Sequence, residues 1–376
     1  MTTWTIIRRS IISALPLACA FWTATPACAN PTDPEDLTTV RARAEQGSVL
    51  HEILLAGDYF TGNGVAQDPK MAAYWYERAA GHGSPEAQNQ IGYFYQAGIG
   101  VPKDPKRAIH WYQLSAASGF AKAKVNLGVA YLRGIGVPKN EDLAVRLFNQ
   151  AFQAGNGTAA TYLGILYYFG IAVNQDRVAA EKWFESGLKL HDTLAAYDLG
   201  SMYSVNPDHP HDLPKAAGLL RQAVDGGYVQ AMHSLGLLLV NHPELKQAPR
   251  ESRVLLETAA NAGSWKSSIV LAILAHEGRG VPVDDKAAYY HFRVALLQGG
   301  AEAEKVIKKD AELLAAKIGA ENTQTAASAA NSWFEHHSIP LIYVYKEGAS
   351  RRDFPMAGIA VAPDGSAGQL LPPSGS

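Results

Sequence analysis

The sequence predicts an all-α chain, an α/α superhelical solenoid of seven 36-residue helix-turn-helix repeats with terminal cap helices. Three observations predict it. "GIGVPK" occurs at Gly98–Lys103 and again at Gly134–Lys139. Stepping by that same period aligns whole columns, such as Ala56, Gly92, Gly128, Gly164, Gly200, Gly236 and Ala272, with no insertion or deletion over 51–302. Within each period the apolar residues recur at helical spacing, and the intervening residues carry turn chemistry. A sustained period of this length is the mark of stacked two-helix units, because one helix pair cannot bury its own apolar face.

Taken from the N-terminus, residues 1–29 read as an export signal. Arg8 and Arg9 supply the positive start, "SIISALPLACAFW" a short apolar stretch, and Ala27-Cys28-Ala29 a small-x-small cleavage site before Asn30. The apolar run is too short, and broken by Pro16, to read as a membrane span. The expectation is a periplasmic or secreted protein with no span once the signal is removed. Both cysteines, Cys19 and Cys28, lie in this segment, so the mature chain has no disulfide, thiolate metal site or cysteine nucleophile.

Residues 30–50 hold an N-terminal cap helix. Its "DLTTVRARAEQG" falls in the register of a second helix, with Gly47 in the column of Gly83 and Gly119. Repeats fill 51–302. In 87–122, Ala87, Ile91, Gly92 and Tyr95 make the apolar stripe of the first helix. Gly98 ends that helix in a left-handed conformation, and Pro102 cannot extend it. Asp104 then caps the second helix with Pro105 at its first position. Down the chain this cap column reads Asp68, Asp104, Asn140, Asp176, Asp212, Ala248 and Asp284, so six of seven can accept a backbone N–H. The second-helix stripe is read as Ala108, Trp111, Tyr112 and Ala116, and Gly119 closes the unit. Two loops depart from the pattern, with "VNPDHPHDL" and "VNHPELKQA" in place of the glycine turn. Residues 303–337 are read as C-terminal cap helices. The Gly/Pro/Ser-rich 338–376 is read as an extended or disordered tail.

The pattern A-x3-LG-x2-Y-x2-G-x-GV-x2-D-x2-KA-x2-WY-x2-A-x2-G resembles the Sel1-like repeat, a relative of the tetratricopeptide repeat. "YFTGNGVAQDPKMAAYWYERAAGHGSPEA" and "YFYQAGIGVPKDPKRAIHWYQLSAASGFAKA" carry the likeness best. The resemblance covers about two-thirds of the chain. It implies an α/α superhelix that binds other proteins, often as an adaptor in exported or signalling assemblies, and no enzymatic activity. The β-lactam binding linked to cysteine-rich members is not implied, since their paired cysteines are absent.

The formal net charge of −2 gives no basic field for nucleic acid, so the expected partner is a protein or peptide. If the first helices line the concave face, positions between the core columns are candidates for contact. These are Asn89, Tyr93, Arg133, Thr161, Ile165, Phe169, Tyr197, Ser201 and His233. The columns are apolar and aromatic with a few polar groups, which suits recognition; a helix phase shifted by one position would make them core instead. The rival readings are a binder of peptidoglycan or another envelope polysaccharide, stacking sugars on tyrosines, and an envelope hydrolase.

Other motifs carry less. GIGVPK is not a phosphate loop, because a helix and not a strand precedes it. His51-Glu52 and His276-Glu277 lack the second histidine of a zinc-protease helix and read as exposed positions. His209 and His211, with His242 one repeat later, are weak metal candidates. A solvated, proline-stiffened loop is the plainer account, so no metal, cofactor or catalytic residue is assigned.

Overall fold

The computed structural model describes residues 37–205, 212–245, 247 and 250–337. Residues 1–29, read above as an export signal, His209, His211, Ala248 and residues 338–376 lie outside the described residues. Those residues form sixteen α-helices and one short 3₁₀ turn, with no strand among them. They fall into two compact units, one ending at Ala195 and one beginning at Ala196.

The first unit contains α1 (Leu37–Glu45), α2 (Val49–Thr61), α3 (Pro69–Gly81), α4 (Pro85–Ala97), α5 (Pro105–Ala117), α6 (Ala121–Arg133), α7 (Glu141–Gln153), α8 (Gly157–Phe169) and α9 (Arg177–Lys189). The second begins within α10 (Thr193–Val205) and continues through α11 (Leu213–Asp225), α12 (Val229–Asn241), α13 (Glu251–Asn261), α14 (Trp265–Glu277), α15 (Asp285–Ile318) and α16 (Ala320–His337). Each repeat pairs an even-numbered helix with the odd-numbered helix after it, from α2·α3 to α14·α15.

The turn chemistry does what the sequence requires of it. Gly62, Gly98, Gly134, Gly170 and Gly278 end their helices with φ between 68° and 75°. Asp68, Asp104, Asn140, Asp176, Asp212 and Asp284 each accept a backbone N–H at the start of the second helix. In the divergent sixth repeat α13 has Arg250 as its N-cap residue, with no side-chain cap bond, and has 11 residues. The helix in each of the other five second-helix positions before it has 13. The last second helix runs into the cap helix, and Gly300 (φ 53°, ψ −133°) kinks α15 at the junction.

Two kinds of contact hold the pairs. Within a repeat, a glycine on the first helix lets an aromatic or leucine on the second helix lie against its backbone. A Cβ built on Gly92 would sit 2.8 Å from the Tyr112 ring, on Gly128 2.7 Å from Phe148, on Gly164 2.7 Å from Phe184, and on Gly236 2.8 Å from Leu256. Between repeats, the glycine turn seats on the start of the preceding second helix. A Cβ on Gly136 would come 2.5 Å from the Pro105 carbonyl oxygen, and one on Gly100 would overlap the Pro69 carbonyl.

The second-helix stripe differs from the sequence reading. Ala108, Ile109, Tyr112 and Ser115 are buried, whereas Trp111 and Ala116 are only half-buried. Ser115 sits in the core because its hydroxyl donates to the Pro85 carbonyl at 2.5 Å. That bond satisfies a polar group where α4, the first helix of the same repeat, lies against α5.

The loop that loses its glycines in the sixth repeat is fastened differently. Arg221 of α11 donates from Nε to Glu251 Oε1 (2.9 Å) and from Nη2 to Glu251 Oε2 (3.2 Å) and the Leu245 carbonyl (2.7 Å). Glu251 also accepts the Gln247 N–H at 2.6 Å. With only 20% and 16% of the two side chains exposed, this forked pair is partly desolvated. Glu251→Gln is expected to cost about 1–3 kcal/mol, since it strands a part-buried guanidinium. Urea unfolding of the second unit, followed by hydrogen exchange, checks it, and unchanged protection would refute the assignment.

Candidate functional site

The burial of the first helices decides which candidate residues a partner can reach. Asn89 is 3% exposed, Thr161 0%, Ile165 1%, Tyr197 3% and Ser201 1%. His233 is half-buried, with Nδ1 2.9 Å from Ser267 Oγ on the next first helix. Asn89, Thr161, Ile165, Tyr197 and Ser201 therefore belong to the packing between repeats and not to an open face. Asn89 accepts from Asn126 Nδ2 at 2.9 Å, Thr161 donates to Asp192, and the Tyr197 and Tyr228 rings lie 4.7 Å apart. The physical reason is that a first helix is covered on three sides, by its own partner helix and by both neighbouring repeats. Positions such as 89 and 94, placed between the expected stripe residues, are buried too: Phe94 is 2% and Leu166 0% exposed.

Tyr93, Arg133 and Phe169 keep part of their surface. All three lie in the first unit, on α4, α6 and α8, at positions 93 and 97 of the repeat. Around them Gln96, Val129, Tyr162 and Tyr167 are also half-buried. Tyr162 stacks on Phe148 with centroids 5.0 Å apart and planes inclined by 5°. Tyr168 and Phe169 meet edge-on at 4.9 Å. The arrangement is a line of aromatic edges with one guanidinium, held on rigid helices. Such groups give a partner large contact area at low entropy cost.

Ionic clusters elsewhere serve the fold. Tyr95 donates to Glu77 at 3.0 Å, and Arg107 lies 4.1 Å over the Tyr95 ring while pairing with Glu77 at 2.6 Å. Burial, reinforced by the Glu77 bond, pushes the Tyr95 hydroxyl up to about 12. His51-Glu52, expected to be exposed, is buried. Glu52 is 0% exposed and holds Arg78 at 2.8 Å and His82 at 3.0 Å, and Arg78 also donates to the Glu45 carbonyl at 3.0 Å. This carboxylate ties α1 and α3 to α2, a role that a lone His-Glu pair in the sequence does not reveal. His276 is exposed and bonds Asp285 at 2.6 Å. Lys317 first, then His276, holds the Asp285 carboxyl below its ordinary range.

His242 pairs with Glu244 at 3.3 Å. Among the described residues no group of three His, Cys, Asp or Glu is placed to hold a metal ion. No described helix is long and apolar enough to cross a membrane.

The Sel1 repeat family model matches residues 52–84, 85–120, 121–156, 157–192, 193–228 and 269–300. The chain belongs to the Sel1 repeat family. The six matched segments leave out 229–268, which nevertheless folds as the pair α12·α13. Among solved structures, a Sel1 repeat protein from Oxalobacter formigenes aligns with TM-score 0.56 at 25% identity, covering 66% of this chain and 98% of that one. The protective antigen c5321 of uropathogenic Escherichia coli, displaying an SLR fold, aligns at TM-score 0.42 and 23% identity, covering 83% and 73%. Immunity protein Pa5087 from Pseudomonas aeruginosa aligns at TM-score 0.40 and 20% identity, covering 73% and 88%. No curated protein matches the sequence.

Proposed function

We propose that this Sel1 repeat chain is an exported, non-enzymatic scaffold of the bacterial envelope, periplasmic or secreted, that binds a protein partner as an adaptor or regulator. The observation that carries the reading is the division of labour along the first helices. Columns 87, 89, 91 and 92 are spent on packing. Tyr93, Arg133 and Phe169 instead present aromatic edges and a cation that packing does not consume entirely. Anchors of this type, tyrosine and arginine above all, dominate protein-binding energetics. The export reading rests on the Arg8-Arg9, apolar and Ala27-Cys28-Ala29 sequence of the first 29 residues.

The test compares the mature chain with the triple variant Tyr93→Ala, Arg133→Ala, Phe169→Ala in affinity capture from envelope extracts. The expected result is loss of a specific captured protein at unchanged helicity, with about 1 kcal/mol or more of binding lost per anchor. Identical capture by the variant, or retention by purified cell-wall polysaccharide in its place, overturns the assignment.

A further inference from the structure

The second helices of the first unit, α3, α5, α7 and α9, stand side by side and share a solvent face of lopsided charge. Arg107 of α5 pairs with Glu77 of α3 at 2.6 Å, and Phe152 of α7 meets Trp183 of α9 edge-on at 5.1 Å. The turn leading into α7 seats on Pro105, the first residue of α5. The exposed residues of these four helices include six cations and one carboxylate. The cations are Lys70, Lys106, Arg107, Arg146, Lys182 and Lys189, and the carboxylate is Asp142. The whole chain, by contrast, has 33 basic and 35 acidic residues. The other carboxylates of these helices are half-buried, and two are already engaged, Glu77 by Arg107 and Glu141 by Lys139. Of the six cations only Arg107 has an ion pair among the described residues.

Apolar side chains stand among these charges. Tyr74, Leu114 and Val178 are 53%, 40% and 57% exposed. Each lies one helical turn from a basic residue: Tyr74 follows Lys70, Leu114 follows His110, and Val178 precedes Lys182. The repeat register also brings Tyr74, His110, Arg146 and Lys182 to the same position on four successive second helices. A merely solvated helix face mixes the two signs and pairs them one turn apart. This face does neither.

We propose that the shared face of α3, α5, α7 and α9 docks on the surface of an anionic phospholipid bilayer. A bilayer uses both kinds of side chain. Headgroup phosphates meet the lysines and arginines, while the tyrosine and the aliphatic groups enter the boundary beneath them. Long lysine and arginine stems allow this, since their charged ends reach the phosphates as the stems lie against apolar surface. The cations are spread over four helices, which suits a broad array of headgroups better than one bound peptide. Each cation adds a modest attraction that salt screens, so the contact is reversible and sensitive to ionic strength. The face uses other helices than Tyr93, Arg133 and Phe169, and it stands whether or not those residues bind a protein.

Flotation of the chain from Asn30 onward with lipid vesicles tests this. The vesicles are phosphatidylcholine alone, or phosphatidylcholine with one third phosphatidylglycerol. Binding is expected on the anionic vesicles only, at about 0.05 M salt, and is expected to be lost at about 0.3 M. Lys106→Gln with Arg146→Gln and Lys182→Gln changes exposed, unpaired side chains, so helicity should hold while binding weakens roughly fivefold per cation. Tyr74→Ser with Leu114→Ser should weaken binding and leave its salt dependence unchanged. Equal partition onto neutral vesicles, or undiminished binding by either variant, overturns the proposal. Retention on immobilised polyglutamate with none on the vesicles also overturns it, and assigns the face to an acidic protein.

Discussion

Gly100→Ala is expected to cost about 2–5 kcal/mol, although it adds a single methyl group to an inter-helix turn. Two effects combine. Gly100 has φ of 65°, where an L side chain costs about 1–2 kcal/mol. Its Cβ would also overlap the Pro69 carbonyl and approach the Lys70 nitrogen to 2.8 Å, so the turn must lift from the preceding second helix. Overpacking of that kind adds about 1–3 kcal/mol, because backbone cannot rotate away as a side-chain tip can. The chain contains its own control. Ala172 holds the same turn position with φ of 58° and retains partial exposure. Its seat differs, since the preceding helix begins with Glu141 and not with a proline. Ala172→Gly should therefore change stability by less than about 1 kcal/mol, towards stabilisation. Chemical denaturation of both variants decides the matter, and equal effects would mean that the turn-to-helix seat contributes nothing.

Phe184→Ala is expected to cost about 3–5 kcal/mol. Phe184 is fully buried in α9, and its ring lies against the Gly164 backbone, where a Cβ would be 2.7 Å away. Truncation leaves a cavity that α8 cannot fill, since glycine brings no side chain to the contact. Phe184→Leu should cost under about 1.5 kcal/mol, because repeats five and six already place Leu220 and Leu256 against Gly200 and Gly236. If Phe184→Ala lowers stability by no more than Phe184→Leu, the glycine–aromatic contact is not what joins the two layers. Local hydrogen exchange in α8 and α9 gives the same comparison without assuming that the two units unfold together.

Much of the architecture is legible because its rules are local. A cap acts within three residues and a helix-ending glycine within one turn, so Asp104 and Gly98 announce their roles in a short window. The 36-residue register then copies those roles along the chain. The candidate face is less legible. Asn89, Thr161, Ile165, Tyr197 and Ser201 read as surface because a single helix has one expected buried stripe. A helix flanked by repeats on both sides is buried over a wider arc, and polar residues enter that arc when a neighbour bonds them. Glu52 illustrates the same limit: its partners, Arg78 and His82, come from the following helix and the turn after it.

The sequence by itself determined the helix pairs, their caps and stops, the repeat register and the family, since each depends on contacts a few residues apart or on the period. The tertiary structure alone decided which polar residues are rungs between repeats and which remain open. That depends on the distance of closest approach between helices 30 or more residues apart, such as α4 and α6 or α12 and α14. It also decided that Tyr93, Arg133 and Phe169 keep surface to offer, because exposure is what remains after every neighbour has packed.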